Sequence, residues 1–247
     1  MFKTSYSQSE LDAIIESTKQ REGWDFSSMN VERQAVPWHY IEVIKDYLRD
    51  EDDVLDIGTG GGERVLELAG HCKKIVGIDN DPQMIKTATL NGKPYMNVEF
   101  YIDTEKLENT NSTFDVILNR HAPFDLEVIK RKLKPNGYFI TQQVGENNML
   151  SIKQALEQPI EEPELTSDML EKVFSKVIAK MEYDVEYVVN DVESLIFWLQ
   201  ALDMQHSDME GVRGVANEKV FNKILKDNVD ERGFITNEHR YLYIAMP

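Results

Sequence analysis

A chain of 247 residues, 41% of them hydrophobic, can bury a sizeable core and lies outside the disordered range. No apolar run approaches the ~18 residues of a membrane span, and the polar start MFKTSYSQSELDAIIESTKQ lacks a signal-peptide core, so a cytoplasmic location is expected. The net charge of −17 repels polyanions and disfavours a nucleic-acid acceptor, while a single cysteine, Cys72, excludes an internal disulfide and a cysteine-based metal cluster.

The pattern predicts a helix over 8–20 with Ser9 as its cap, and a second over 36–49 with Pro37 in its first turn. Between them Gly23-Trp24-Asp25-Phe26 reads as a loop. Val54–Ile57 is a short apolar run ending in glycines, hence a buried strand. A helix over 63–70, a strand over 74–78 and a helix from Asp81-Pro82 to about Leu90 follow. Strands are predicted over 98–102 and 114–118, then a helix over 126–133 that stops at Lys134-Pro135-Asn136-Gly137, then a strand over 138–144. The basic run Lys130, Arg131, Lys132 and Lys134 reads as a solvated helix face. Residues 146–165, with Pro159, Pro163 and many acids, read as a loop or lid. Further on come a helix over 168–181, a strand over 184–189, an amphipathic helix over 193–202, a helix over 218–226 and a final strand over 239–246. Strands alternating with helices imply a mostly parallel sheet with helices on both faces. Ligands of such sheets lie beyond the carboxyl ends of the strands, at the topological switch point.

The residues at those ends are informative. Asp56-Ile57-Gly58-Thr59-Gly60-Gly61-Gly62-Glu63 joins a predicted strand to a predicted helix, and Asp79 closes the next strand. Glycines turn tightly and let backbone approach a ligand. In the nicotinamide fingerprint G-x-G-x-x-G/A, the third small position would fall on Glu63, a large acid unsuited to tight packing beside a pyrophosphate. The sequence spells acid-x-G-x-G-x-G instead. That loop suits a ligand without phosphate whose sulfonium and ammonium groups favour acidic neighbours, such as S-adenosylmethionine.

Val54–Gly62 resembles motif I of the class I S-adenosylmethionine-dependent methyltransferases. Asp79 in Val76-Gly77-Ile78-Asp79 resembles their ribose-binding acid, and Asp103 in Phe100-Tyr101-Ile102-Asp103-Thr104 their adenine-side residue. Phe114-Asp115-Val116-Ile117-Leu118-Asn119 and Leu133-Lys134-Pro135-Asn136-Gly137-Tyr138 resemble the fourth-strand motif and the turn into the fifth strand. Leu118-Asn119-Arg120-His121 with Thr141-Gln142-Gln143-Val144-Gly145 is similar to a largely uncharacterised bacterial subgroup.

The resemblance implies a Rossmann-like seven-stranded, mostly parallel α/β sheet in a single domain, 1–247. The core sheet would use about 50–146, 184–189 and 239–246. Cap elements would be 1–36, 146–165 and 191–236, the last inserted before the final strand. It also implies that Gly58, Gly60 and Gly62 line the methionine moiety, that Asp56 organises the loop and the ammonium end, and that Asp79 takes the ribose hydroxyls. Asn80 would flank the adenine, Asp103 or Thr104 would bind its edge, and Asn119 would lie nearest the transferred methyl.

Beside the donor, His121 is a candidate general base and Arg120 a candidate clamp for a substrate carboxylate. Gln142 and Gln143, polar in a buried strand, require hydrogen-bond partners. Trp24, Trp38, His39 and Trp198 form either an aromatic lid or ordinary core. No metal-binding spacing occurs, so no metal is expected. The implied activity is methyl transfer to a small-molecule acceptor. The rival readings are a non-catalytic S-adenosylmethionine-binding protein and a NAD(P)-dependent oxidoreductase.

Overall fold

The computed structural model describes residues 2–18, 26–102, 112–205 and 217–247. Its strands are β1 (Val31–Arg33), β2 (Asp53–Ile57), β3 (Lys74–Asp79), β4 (Val98–Ile102), β5 (Phe114–Arg120), β6 (Leu133–Val144), β7 (Lys176–Val189) and β8 (Phe234–Met246). They form an eight-stranded sheet in the order β1-β7-β8-β6-β5-β2-β3-β4. The β4-β3-β2-β5-β6 block is parallel, and β8 and β1 pair antiparallel with β6 and β7. Because β2 has β3 on one side and β5 on the other, the chain reverses its direction of winding at β2. The crevice at the carboxyl ends of β2 and β5 is therefore the switch point where α/β sheets bind ligands.

Among the described residues the helices are α1 (Gln8–Ser17), α2 (Tyr40–Lys45), α3 (Pro82–Gly92), α4 (Leu126–Lys132), α5 (Leu150–Ala155), α6 (Ser167–Val173), α7 (Val192–Gln205) and α8 (Glu218–Leu225). Two compact units result. One comprises Pro37–Gly145, Pro163–Glu182 and Arg240–Pro247, and the other Met1–Val36, Glu146–Glu162 and Tyr183–His239. In the first, Leu55, Ile117 and Phe139 are fully buried, and Phe139 stacks on Phe174 with ring centroids 5.8 Å apart. The second packs Leu11, Ile152, Leu195, Leu199, Phe221 and Phe234 into its own core. There Trp198 lies against Tyr187 as a core aromatic, at 5.4 Å.

Several elements depart from the sequence expectation. The sheet has eight strands rather than seven, because Val31–Arg33 pairs with Tyr187–Val189 and carries no alternating apolar signal. Ser7, not Ser9, caps α1: Glu10 stands three residues beyond Ser7, and its carboxylate accepts the Ser7 N–H at 2.8 Å in a capping box. The second helix is confined to Tyr40–Lys45, and Pro37 lies outside it. The helix expected over 168–181 ends at Val173, where extended Phe174 turns into the core, and β7 begins at Lys176. The segment 146–165 holds α5, anchored by fully buried Ile152. Finally, 63–70 contains only a 3-10 turn, Val65–Leu68, and β6 already begins at Leu133, although its pairing with β5 jumps from Leu133 to Tyr138 across the expected turn Lys134–Gly137.

Candidate active site

At the end of β2 the chain enters the left-handed region three times, at Gly58 (φ 77°), Gly60 (φ 56°) and Gly62 (φ 79°). Only glycine adopts this readily. The loop is tied to β3: the N–H groups of Gly58 and Thr59 donate to the Ile78 carbonyl at 2.9 and 3.0 Å. The Gly60 N–H donates to Asp79 Oδ2 at 2.8 Å, while Asp79 Oδ1 accepts the Asp81 N–H at 2.9 Å. Asp79 thus holds the loop in shape, and a carboxylate retains further lone pairs for a ligand's hydroxyls. Asp81 caps α3 by accepting the Gln83 N–H at 2.8 Å. Asn80, between these two acids, is exposed.

Asp56 precedes the glycines and is partly buried. Burial pushes its carboxyl up to about 6, and nearby Asp79 adds to the rise while Thr59 and Arg120 oppose it. The folded value lies above the ordinary 3.8, so the native state holds this proton more tightly than the unfolded chain. Asp56 therefore contributes stability fully below about pH 4 and loses it as pH rises through about 6. Its partial contact with solvent limits the contribution to about 2 kcal/mol. In urea titrations across that window, wild type should lose this amount relative to Asp56→Asn. Parallel pH profiles for the two proteins would refute the assignment.

Asn119, at the end of β5, is fully buried. Its Nδ2 donates to the carbonyls of Ala122 (3.0 Å) and Ile57 (3.3 Å), and its Oδ1 accepts from Gln143 Nε2 (2.7 Å) and Thr141 Oγ1 (3.3 Å). The side chain ties the ends of β2, β5 and β6 together. Both buried glutamines have the partners their burial requires, Gln143 through Asn119 and Thr141 and Gln142 through Trp38.

His121 follows with φ 59°, an uncommon conformation for a non-glycine residue, and its N–H donates to the Gln142 carbonyl at 3.1 Å. Buried Trp38 donates its indole N–H to Gln142 Oε1 at 3.2 Å. An indole nitrogen only donates, so the amide nitrogen of Gln142 must face His121 Nε2, at 3.4 Å. That nitrogen consequently accepts, and the imidazole is neutral with its proton on Nδ1. Burial pushes the imidazole well below its usual range, and Arg240 and Arg120 push it the same way. Tyr40 completes the cluster, its hydroxyl between the carbonyls of Asn119 (3.0 Å) and Ile140 (3.1 Å).

The structure gathers Asp56, Gly58, Gly60, Gly62, Asp79, Asn119, Arg120 and His121 around the β2 and β5 ends, whereas Asp103 and Thr104, like Trp24, lie outside the described residues. Trp38 belongs to the core, and His39 is exposed. Tyr40 and the link from Trp38 to Gln142 escaped sequence reasoning because their partners are 79 to 104 residues away. The element receiving the glycine loop is a four-residue 3-10 turn. It offers no α-helix N-terminus to a pyrophosphate, which weighs against the dinucleotide reading.

Known proteins resemble this chain in sequence and fold. An uncharacterized methyltransferase of Schizosaccharomyces pombe is 30% identical over 135 residues, which cover 47% of this chain and 50% of the relative. A ribosomal protein L11 methyltransferase of Bacillus licheniformis is 31% identical over 129 residues, covering 47% of this chain and 40% of its own. The chain thus spans about half the length, or less, of these curated relatives. The solved structure of a SAM-dependent methyltransferase from Geobacter sulfurreducens, in complex with S-adenosyl-L-homocysteine, aligns over 99% of this chain and 100% of its own with TM-score 0.52. At 14% identity that likeness is one of fold. The profile of a methyltransferase domain matches residues 48–193, more than half of the chain and all of the glycine loop, Asp79 and the Asn119–His121 corner. The chain belongs to this methyltransferase-domain family, of the class I, S-adenosylmethionine-dependent type.

Proposed function

We propose that this protein methylates a small acceptor carrying an anionic group, with S-adenosylmethionine as donor. The cofactor supplies an electrophilic methyl group on a sulfonium. The residues present fit it: a glycine loop held in left-handed turns at the switch point, acidic Asp56 beside it for the cationic end, and Asp79 for the ribose hydroxyls. Asn80 would flank the adenine, with Asp103 and Thr104 at its edge. Asn119, its amide engaged inside the fold, would set the position of the acceptor strand end rather than touch the methyl.

The observation that carries the acceptor class is the pair of guanidinium groups acting on neutral His121. Arg120 is paired in register with Gln142, and Arg240 with Val144, so both stand at one end of β6. Two arginines at that end of β6 are the groups that would meet a carboxylate or similar anion. The overall charge of −17 argues against nucleic acid. Cys72, a buried free thiol, is in keeping with a reducing cytosol. Alignment of donor and acceptor is the main contribution asked of the protein.

Turnover assays with S-adenosylmethionine should find activity on small carboxylates and not on their amides. Activity confined to a ribosomal protein or to rRNA would refute the acceptor class. Cofactor binding without turnover on any acceptor would leave a binding protein instead.

His121 enters this reading as a positioning residue, since its Nε2 lone pair already faces the Gln142 amide. His121→Asn keeps a residue that tolerates positive φ. It should raise the KM for the acceptor about tenfold and leave kcat within about a factor of two. A fall in kcat of ~10²-fold or more would make His121 the general base.

A further inference from the structure

The glycine loop is held from two sides. β3 fixes its first half, through the Ile78 carbonyl and the Asp79 carboxylate. The second half meets a single aromatic ring. Phe100, half-buried on β4, stands in register with Gly77 on β3. A Cβ on Gly77 would lie 2.6 Å from Phe100 Cδ1 and 2.7 Å from its Cε1. One on Gly92, the last residue of α3, would lie 2.8 Å from Cε2, and one on Gly62 would lie 2.9 Å from Cζ. Carbon atoms in ordinary contact stand about 3.5–4.0 Å apart. Each of the three positions therefore excludes a side chain while the ring stays in place.

A ring over Gly77 alone would be the covering of a strand glycine by an aromatic across an edge pair. Gly62 and Gly92 add something else. They belong to the loop and to α3, so the same ring also sets the spacing of the loop from that helix. α3 supplies a second hold, because Asn91 Nδ2 donates to the Gly61 carbonyl at 2.9 Å. Gly61 and Gly62 thus depend on α3 and β4, as Gly58 and Gly60 depend on β3. A loop that meets its ligand through backbone binds more tightly when its bound shape is fixed beforehand, since less ordering is left to binding.

We infer that Phe100 is a positioning residue for the cofactor, whose ring, with Asn91, fixes the Gly61–Gly62 half of the loop against α3. The inference rests on the glycine loop being the cofactor site.

Calorimetry with S-adenosylhomocysteine on the full chain tests it, at a temperature where circular dichroism shows every variant native. Phe100→Ala should weaken binding about tenfold and Asn91→Ala about fivefold, whereas Phe100→Leu, which restores much of the volume, should stay within about threefold of wild type. Phe174→Ala removes a buried aromatic from the stack with Phe139. It should lower Tm and leave the affinity at the wild-type value, which separates positioning from a general loss of stability. Gly92→Ala tests the packing by its sign. Alanine in place of a helical glycine ordinarily raises stability. Here it should lower Tm, and Phe100→Leu in the same chain should recover most of the loss. Asn91 is exposed, so Asn91→Ala carries the test should Phe100→Ala not fold. Unchanged affinity in Phe100→Ala and Asn91→Ala, beside a loss in Asp79→Ala, would overturn this inference and leave the cofactor site in place. An equal loss of affinity in Phe174→Ala, or a rise in Tm for Gly92→Ala, would also overturn it. A wild-type chain that binds no S-adenosylhomocysteine would remove the cofactor assignment itself, and this inference with it.

Discussion

Gly58→Ala should destabilise the protein by roughly 2–5 kcal/mol and abolish cofactor binding. Two independent effects combine. The residue sits at φ 77°, where a side chain crowds the following carbonyl, at about 1–2 kcal/mol. A Cβ there would also collide with the Cβ of Ala122, which follows β5 across the switch point. Overpacking of this kind costs about 1–3 kcal/mol. The two parts can be separated. Ala122→Gly placed beside Gly58→Ala removes the collision and leaves the dihedral strain, so the double variant should recover about 1–3 kcal/mol in urea denaturation. If Gly58→Ala alone unfolds within about 0.5 kcal/mol of wild type, the close approach of the two strand ends is wrong.

Asp79→Ala should weaken S-adenosylhomocysteine binding by about 2–3 kcal/mol, close to a hundredfold in Kd. The carboxylate would accept two ribose hydroxyls, and charge-assisted bonds of this kind are worth about 1.5–3 kcal/mol each before non-additivity. The structure adds a second route to the same loss. Both Asp79 oxygens accept backbone N–H groups, from Gly60 and Asp81, so alanine also removes one of the ties between the glycine loop and β3. Asp79→Asn distinguishes the two, because its amide oxygen can still accept the Gly60 N–H. It should lose the Asp81 bond, at a cost of about 1 kcal/mol, keep the Gly60 tie and lose most of the affinity. Calorimetry showing an unchanged Kd for Asp79→Ala, with native circular dichroism, would remove Asp79 from the cofactor site.

The local signals in the chain were sufficient for the glycine loop and the strands that deliver it. The strand expected over 98–102 forms there, and the strand starting at Phe114 extends past the predicted end to Arg120. The acids Asp56 and Asp79 stand at strand ends because short apolar runs followed by glycine or by Asp81-Pro82 punctuate the sequence there. Cap chemistry was legible only where spacing was specific, as Glu10 three residues after Ser7 shows, and a lone serine at position 9 misled.

The remaining features depended on contacts between distant residues. Val31–Arg33 becomes a strand because Tyr187–Val189 offers it an edge, and residues 176–181 leave the helical pattern to pair along β7. Propensity yields to pairing wherever a sheet edge is available. The neutral state of His121 likewise follows from Trp38, whose donor-only indole orients Gln142 from 104 residues away. By itself the sequence determined the order of the motifs and hence the family, since those signals are short-range. The tertiary structure alone decided which polar groups are committed inside the fold, at Asn119 and Gln142, and which carboxylates remain for a ligand, because hydrogen-bond partners are assigned only when distant strands meet.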